Sequence, residues 1–247
     1  MAHSYYIDPD IRKASTLPSS FYRDPAVFEA LRDKVFYSSW QWIGDDRVLK
    51  GTPCVHPFVL LSDFLDEPVV LTRDASGHVH CLSNVCTHRG NLVAGKTGKV
   101  RKLICRYHGR RFDMDGTFEH MPEFETALEF PTSCDDLPRF PLRKWGPFLF
   151  AGLNPSFDFQ EVIDGMNERV GFLPLQSLEE SPGRHKDYMI DAHWALYCDN
   201  YLEGFHIPFV HEDLNKVLDY GDYETVLHTY FNLQIGYAGE EEAVFDL

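Results

Sequence analysis

Two short segments, each carrying one cysteine and one histidine, offer the clearest chemistry in this sequence. Cys86 and His88 are two residues apart, Cys105 and His108 are three apart, and sixteen residues separate the two segments. Two thiolates and two neutral imidazoles can hold a [2Fe–2S] cluster, with the thiolates on one iron and the imidazoles on the other. The spacing therefore predicts a two-iron cluster with mixed ligands.

The alternative for the same four residues is a structural zinc ion, which also binds two cysteines and two histidines. Zinc fingers usually group like ligands, with a pair of cysteines followed by a pair of histidines, whereas each segment here mixes the two types. Gly90 and Gly109 follow the segments closely, where the backbone must approach inorganic sulfide. We expect the remaining four cysteines to be small buried apolar side chains rather than metal ligands; they are Cys54, Cys81, Cys134 and Cys198.

A second candidate metal site lies about one hundred residues downstream, where Glu203, His206 and His211 form the pattern E-x-x-H-x-x-x-x-H. Glu203 and His206 would share one face of a helix. We expect Pro208 to break that helix and let His211 turn back toward His206. Two imidazoles and a carboxylate can hold a mononuclear non-haem Fe(II) with positions left open for O₂. Taken alone, these could equally be ordinary, partly buried residues.

Both motifs resemble a known family. The segments CTHRGN and CRYHGRRFDMDGTF are similar to the cluster loops of Rieske non-haem iron oxygenases. The resemblance implies that Cys86 and Cys105 bind one iron of the cluster and that His88 and His108 bind the other. Arg110 stands where many members have Trp, and we expect it to alter a docking surface rather than ligation.

The segment NYLEGFHIPFVH resembles the mononuclear iron motif of the family, especially that of choline monooxygenase-like members, and STLPSSFYRDP resembles their entry segment. The resemblance implies that His206 and His211 bind the iron. It also implies that Glu203 takes the place of the acid that bridges to a cluster histidine of the neighbouring subunit, and that Asn200 lines the site.

The third ligand of this site is an aspartate in the family, placed far downstream of the second histidine. The sequence ends 36 residues after His211, so we expect this aspartate beyond Leu247 and a truncated catalytic domain. Without it, the 247-residue chain should bind the second iron weakly and fail to turn over. Four aspartates are candidates by residue type but lie too close to His211 to match the family; they are Asp213, Asp219, Asp222 and Asp246.

The helices and strands that must position these ligands are predicted from changes in the sequence pattern along the chain. A helix is predicted after Asp24 and Pro25, short strands such as EPVVLTR, HVHCLSN and WGPFLFAGLNP follow, and FQEVIDGMNERVGFL is helical. KDYMIDAHWALY alternates like a strand, YCDNYLEGFHIPFVH is predicted as a helix disrupted at Pro208, and ETVLHTYFNLQIGYAG is strand-like. The fold class is α+β.

The predicted domains are an N-terminal helical segment 1–39, an all-β cluster domain 40–155, and the start of a catalytic domain 156–247. The resemblance implies an antiparallel β-sandwich for the cluster domain, inserted ahead of a truncated helix-grip catalytic domain.

Composition excludes several other classes of protein. The formal charge of −15 argues against nucleic-acid binding, because phosphates must be met by basic side chains. A cationic substrate or a basic redox partner would suit such a charge. No apolar run is long enough to span a membrane, and the charged first fifteen residues do not look like a signal peptide, so we expect a cytosolic protein.

The resemblance implies a terminal oxygenase component that passes electrons from a [2Fe–2S] cluster to a mononuclear Fe(II). That iron activates O₂ to hydroxylate or demethylate a small organic molecule, either a quaternary amine or an aromatic compound. A reductase or ferredoxin would supply the electrons, and the subunits would form a homotrimer. The alternative is a Rieske electron-transfer or binding protein without a functional mononuclear iron.

Overall fold

The computed structural model describes residues 5–238 and forms two compact units. One, here called the cluster unit, is Ala30–Phe159, and the other, the histidine unit, combines the chain before Ala30 with the chain after Phe159. The domain boundaries given above stay predictions. Among the described residues, no helix is both long and apolar enough to cross a bilayer.

The cluster unit is built almost entirely from short antiparallel strands. Its longest strands, seven residues each, are the second and third. The third, EPVVLTR, buries four consecutive residues, as expected of a strand covered on both faces. Strands β1–β10 are Gln41–Asp45, Cys54–Leu60, Glu67–Arg73, Val79–Ser83, Leu103–Ile104, Arg111–Phe112, Phe118–His120, Arg139–Phe140, Leu142–Trp145 and Phe148–Ala151.

These strands form three antiparallel sheets. Their orders are β2-β3-β4-β8, β1-β10-β9 and β5-β6-β7. The first sheet starts with the pairing of β2 and β3, in which Cys54 lies opposite Arg73, and continues through the β3–β4 hairpin. The turn of that hairpin is closed by Asp74, whose backbone oxygen accepts from Gly77 N at 3.1 Å. The antiparallel sheets expected for this region are confirmed.

Both cysteine–histidine segments lie in tight loops beside this framework. Loop 86–91 follows β4, and loop 105–110 connects β5 to β6. Cys86 and Cys105 are part of one buried apolar cluster whose other members come from β2, β3, β4, β5 and β6 and from the segments between the strands. The loops therefore emerge from the core with their cysteines buried.

The histidine unit carries most of the helices. The helices α1–α6 of the chain are Ser19–Arg23, Pro25–Leu31, Gln160–Val170, Trp194–Tyr201, Ile207–Val210 and Glu212–Val217. The predicted start of α2 is confirmed, since Ala26 N donates to Asp24 Oδ1 at 2.9 Å. A hairpin of β11, Leu218–Leu227, and β12, Asn232–Ala238, agrees with the strand-like pattern predicted there.

Two local predictions in the histidine unit are wrong. The segment 186–193 forms no strand, and Trp194 begins α4 instead, with the side chain of His193 accepting from Ala195 N as its N-cap. Pro208 does not disrupt a helix: it stands in the first turn of α5, where a missing backbone N–H costs nothing. The break falls earlier, at Leu202–His206, so Glu203 and His206 meet across a non-helical turn rather than on a helix face.

Two candidate metal centres

The two cluster loops have the same backbone construction. In loop 86–91, Cys86 N donates to Asn91 O at 2.9 Å and Gly90 N donates to Cys86 O at 3.0 Å. Loop 105–110 repeats the pattern, with Cys105 N donating to Arg110 O and Gly109 N donating to Cys105 O at the same two distances. Each loop is a closed turn that holds its cysteine at the base.

Each turn depends on a glycine in the left-handed region. The φ angles of Gly90 and Gly109 are +71° and +74°, a conformation that costs other residues roughly 1–2 kcal/mol. A Cβ on Gly109 would also come within 3.2 Å of the side chain of Pro122. The glycines noted in the sequence are therefore needed for the loop backbone itself.

The two cysteine sulfurs face one another inside the core. Cys86 and Cys105 are 3% and 2% exposed, and their thiols are hydrogen-bonded to each other. Burial raises the pKa of Cys86. At Cys105 burial acts in the same direction, but N–H groups of the loop and hydrogen bonds from Cys86 and Asn91 lower its pKa below the usual value. Asn91 Nδ2 lies 3.7 Å from Cys105 Sγ, a contact that sequence reasoning missed.

The histidines of the two loops also form a pair. The ring centroids of His88 and His108 are 4.7 Å apart. Burial, with the nearby charge of Arg89, lowers the pKa of His88, which favours the neutral imidazole that a metal needs. His108 Nδ1 is buried and has no hydrogen-bond partner. A buried ring nitrogen without a partner is costly unless something binds it, so this donor set fits a metal cluster.

Arg110 ties the two cluster loops to a third segment. Its side chain is 3% exposed, and Nη2 donates to the backbone oxygen of Asp135 at 3.0 Å and to Oδ1 at 2.6 Å. Thr87, from the other loop, donates to the same backbone oxygen at 2.8 Å. The expectation that Arg110 alters a docking surface is wrong, because this residue is in the interior.

Aromatic rings complete the pocket around the buried guanidinium. Its carbon lies 4.8 Å from the ring centroid of Phe118 and 5.7 Å from those of Phe112 and Phe130, within the range of cation–π attraction. Asp135 is held independently by a capping box with Thr132. Burial raises the pKa of Asp135, but hydrogen bonds from Thr132 and Arg110 outweigh it and hold that pKa below its usual value.

The second candidate site is a pocket of about 290 Å³ in the histidine unit. The rings of His206 and His211 lie 5.1 Å apart, centroid to centroid. A carboxylate oxygen of Glu203 contacts His206 Nδ1 closely, which leaves Nε2 of that ring as its nitrogen for a metal. The lining residues are Asn200, Tyr201, Glu203, His206, Ile207, His211, Leu214, Leu218, Tyr223 and Gln234.

One wall of this pocket was missed by sequence reasoning. Tyr223 hydrogen-bonds through its hydroxyl to Gln234, whose side-chain amide donates to Tyr201 O at 2.9 Å. The ring of Tyr223 packs against the backbone of Gly204, where any Cβ would lie 2.6 Å from it. Four aromatic residues near the motif are all mostly exposed, and of these only Tyr201 is among the residues that line the pocket; the others are Tyr197, Phe205 and Phe209.

The candidate third ligands are not among the pocket's described lining. Asp213 is 99% exposed at its side chain and pairs with Lys216, and Asp222 is exposed. The side chain of Asp219 and all of Asp246 lie outside the described residues. Between residues 5 and 238, no group of three or more His, Cys, Asp or Glu side chains is arranged to hold a single metal ion. An aspartate beyond Leu247 stays a prediction.

The comparisons with known proteins agree with the cluster loops. Residues 39–141 match the family described as the Rieske [2Fe-2S] domain. The chain is 29% identical over 246 residues to the chloroplastic choline monooxygenase of Arabidopsis thaliana, covering 92% of this chain and 56% of the relative. It is 26% identical over 243 residues to the carnitine monooxygenase oxygenase subunit of Escherichia coli strain K12, covering 95% and 62%.

Solved structures share the fold. A quaternary ammonium Rieske monooxygenase superposes with a TM-score of 0.69 at 22% identity, over 91% of this chain and 61% of that one. A naphthalene 1,2-dioxygenase from Rhodococcus gives 0.69 at 19% identity, over 95% and 56%. The chain thus spans somewhat more than half the length of these relatives. Residues 39–141 thus form a Rieske [2Fe-2S] domain, and the chain as a whole is similar to the oxygenase subunits of choline and carnitine monooxygenases.

Proposed function

We propose that this protein is the terminal oxygenase component of a Rieske monooxygenase that acts on a small quaternary amine. The observation that carries the proposal is the pocket of His206, His211 and Glu203 in the same chain as a complete set of cluster ligands. A carrier that only transfers electrons has no use for a second histidine pair. The net reaction would insert one oxygen atom of O₂ into a C–H bond and release the other as water, using two electrons and two protons.

The proposed ligand assignments are those that the resemblance to Rieske oxygenases implies for the donors of the two loops and the pocket. Cys86 and Cys105 would hold one iron of the cluster, His88 and His108 the other, and His206 and His211 would hold a mononuclear iron. When bound, these centres supply one-electron transfer and O₂ activation.

Three side chains of the pocket orient the histidines and the substrate. Glu203 accepts from His206 Nδ1 and so fixes that ring in the tautomer whose Nε2 can bind a metal. Asn200 lines the same pocket. Tyr223 is held by Gln234, which fixes an aromatic ring in the lining of the pocket.

The electrostatics of the pocket favour a cationic substrate over an aromatic one. Glu203 supplies a negative charge, Tyr201 and Tyr223 supply aromatic rings, and no lysine or arginine is among the described lining residues. Rings and a carboxylate attract a quaternary ammonium group, which has no hydrogen to donate. Relatives named for choline, carnitine and glycine betaine support this substrate class. An electron-donating reductase or ferredoxin and a homotrimeric assembly complete the proposal.

A single-turnover experiment tests the function without any partner protein. The full natural chain would be reduced anaerobically with dithionite, freed of excess reductant, and mixed with O₂ and choline, carnitine or glycine betaine. We expect hydroxylated or demethylated product, detected by mass spectrometry, from at least one amine and none from naphthalene. His206→Ala should abolish product while His228→Ala, a histidine stacked on Phe231 outside the pocket, should not. Product from His206→Ala, or none from wild type, would refute the proposal.

A further inference from the structure

The basic residues of this acidic protein are concentrated in the segment that contains the two cluster loops. Between Asp74 and Asp113 the sequence has no acidic residue, yet residues 89–111 contain eight of its 23 basic ones. By contrast, 22 of the 38 acidic residues but only seven basic ones belong to the histidine unit. The overall charge of −15 therefore does not describe the surface near the cluster loops.

Several of these cations are unpaired and exposed. Lys102 and Arg111 pair with Glu119, and Arg110 pairs with Asp135. The others are exposed and have no ion pair to a residue of the described chain; they are Arg89, Lys96, Lys99, Arg101 and Arg106. Uncompensated charge of one sign on a surface attracts a partner of the opposite sign.

A cleft with an apolar floor lies between these cations. It has a volume of about 410 Å³ and is bordered by Lys96, Lys99 and Arg106. Its floor is apolar and comes from the segment between the two cluster loops and from β2; the residues are Val55, Val93, Ala94, Val100, Leu103 and Ile104. Three large side chains on or beside the cluster loops are half exposed or more; they are Leu92, Ile104 and Tyr107.

Lys96 and Lys99 lie on a loop whose backbone is fixed by hydrogen bonds. Gly98 exchanges two backbone hydrogen bonds with Val55, at 2.9 and 3.1 Å, and Thr97 hydrogen-bonds His56 at 2.8 Å. Lys96 and Lys99 are therefore held beside the cleft before any partner arrives. Pre-positioned charges speed association because they steer the encounter and cost little ordering.

We propose that this surface, defined by Lys96, Lys99 and Arg106 around the cleft, is where an acidic [2Fe–2S] redox protein docks to reduce the cluster. The inference rests on the proposed function, which requires such a donor. In the step, one electron would pass from the reduced donor, which is thereby oxidised, to the oxidised cluster that loops 86–91 and 105–110 would hold. The partner is thus acidic, although the charge of the whole chain favours a basic one.

A transient redox partner fits this surface better than a second copy of the chain. Permanent interfaces are apolar at the centre and depleted in lysine, whereas short-lived electron-transfer contacts are small and polar. Here lysines surround a small apolar floor. Such a surface gives fast, salt-sensitive association rather than tight binding.

The test measures binding as well as reduction. The probe is a [2Fe–2S] ferredoxin of strongly negative net charge, titrated against the full chain with its cluster by calorimetry at low and high salt. Lys96→Gln/Lys99→Gln should weaken binding about fivefold at low salt, from two exposed pairs of roughly 0.5 kcal/mol each. The charge-reversed variant Lys96→Glu/Lys99→Glu should weaken binding by roughly the square of that factor. The salt dependence of the Kd should fall in parallel.

The matched control removes two lysines elsewhere. Lys34 and Lys186 are exposed and unpaired within the described chain, so Lys34→Gln/Lys186→Gln changes net charge equally. This control should bind the ferredoxin like wild type, and dithionite should reduce the cluster of every variant. A positively charged c-type haem protein should not lose affinity in Lys96→Glu/Lys99→Glu, because any binding of it would be to acidic surface elsewhere.

Three outcomes would overturn the docking surface. These are unchanged binding by the charge-reversed variant, equal weakening by the control, or a change of oligomeric state in Lys96→Glu/Lys99→Glu, which would make this face an interface between copies. Failure of the proposed function would give a different pattern of results from failure of the docking surface. In that case the single-turnover experiment gives no product with dithionite-reduced protein while ferredoxin binding still depends on Lys96 and Lys99.

Discussion

Replacement of Arg110 by methionine should destabilise the cluster unit more than the loss of any surface ion pair. The substitution keeps an apolar stem of similar length but removes the guanidinium between Phe118 and Asp135. Asp135 then keeps its hydrogen bonds from Thr132, but loses the cation that balances its charge. Thr87 still donates to the backbone oxygen of Asp135, whereas the hydrogen bond from Arg110 to that oxygen is lost together with the ion pair.

The magnitude follows from burial. Breaking a buried ion pair by removing one partner typically costs about 3–5 kcal/mol, and the 19% exposure of the Asp135 side chain places this pair near the lower end. The lost cation–π contacts are already included in this free-energy cost and are not added to it. For a protein of this size, about 3 kcal/mol corresponds to a fall in Tm of roughly 6–12 °C.

Thermal unfolding of Arg110→Met, followed by circular dichroism and by the visible absorbance of the cluster, checks this value. Arg139→Met is the matched control, since Arg139 makes an ion pair of 2.8 Å with Asp115 but is 54% exposed. That pair should be worth less than about 1 kcal/mol. Both variants are measured with and without the cluster, so that loss of iron is not mistaken for loss of the ion pair. Equal Tm values for the two variants would refute the reasoning.

Three further predictions concern single residues. Cys105→Ala should bleach the visible absorbance and remove acid-labile sulfide, whereas Cys134→Ala, an exposed cysteine, should leave both intact; stoichiometric zinc without sulfide in wild type would contradict the cluster. Gly109→Ala should lower stability by about 1–2 kcal/mol in denaturant titration because φ is +74°, whereas Gly95→Ala, with open space around it, should change little. The hydrogen bond to Asp199 raises the pKa of Tyr22 to about 12, so its stabilisation is present below pH 10 and lost as pH rises toward 12. Tyr22→Phe should therefore remove the part of the free energy of unfolding that disappears over that range, and an unchanged alkaline limb would count against it.

The sequence was most informative where chemistry and backbone geometry are local. Each cluster loop is six residues long, and its cysteine and glycine positions are fixed by hydrogen bonds inside the loop itself. The antiparallel strands that hold the loops have short connections and clear turn residues such as Asp74 and Gly77. Local rules therefore sufficed to predict these features.

Prediction failed where the surroundings decide the outcome. The alternation in 186–193 favours a strand, yet no neighbouring strand pairs with it among the described residues, and the N-cap of His193 starts a helix instead. Pro208 was expected to break a helix, but a proline is equally at home in a first helical turn, and only the position of the turn 202–206 separates the two cases.

Arg110 shows the same limit for a charged residue. An arginine beside a metal-binding loop is expected at the surface, because buried arginine is rare unless it is paired. Its partner Asp135 lies 25 residues away, and the rings around it come from three different segments. No local pattern reveals such a pocket, although the replacement of Trp by another large, flat side chain is consistent with it.

The two candidate metal centres differ in how far the described chain positions their ligands by itself. At the cluster, backbone turns place the donors, the sulfurs contact one another and His108 Nδ1 lies buried without a partner, so the donor set is organised by the cluster unit itself. At the second site the histidines approach each other only through the turn 202–206 and the short helix α5, and Glu203 is engaged with His206. Since a ligand set of two imidazoles lacks a hard anionic donor, its iron affinity depends on a further carboxylate. When the protein is treated with a chelator, iron of the second site should therefore be lost first, and the cluster, which is enclosed by a core, should remain.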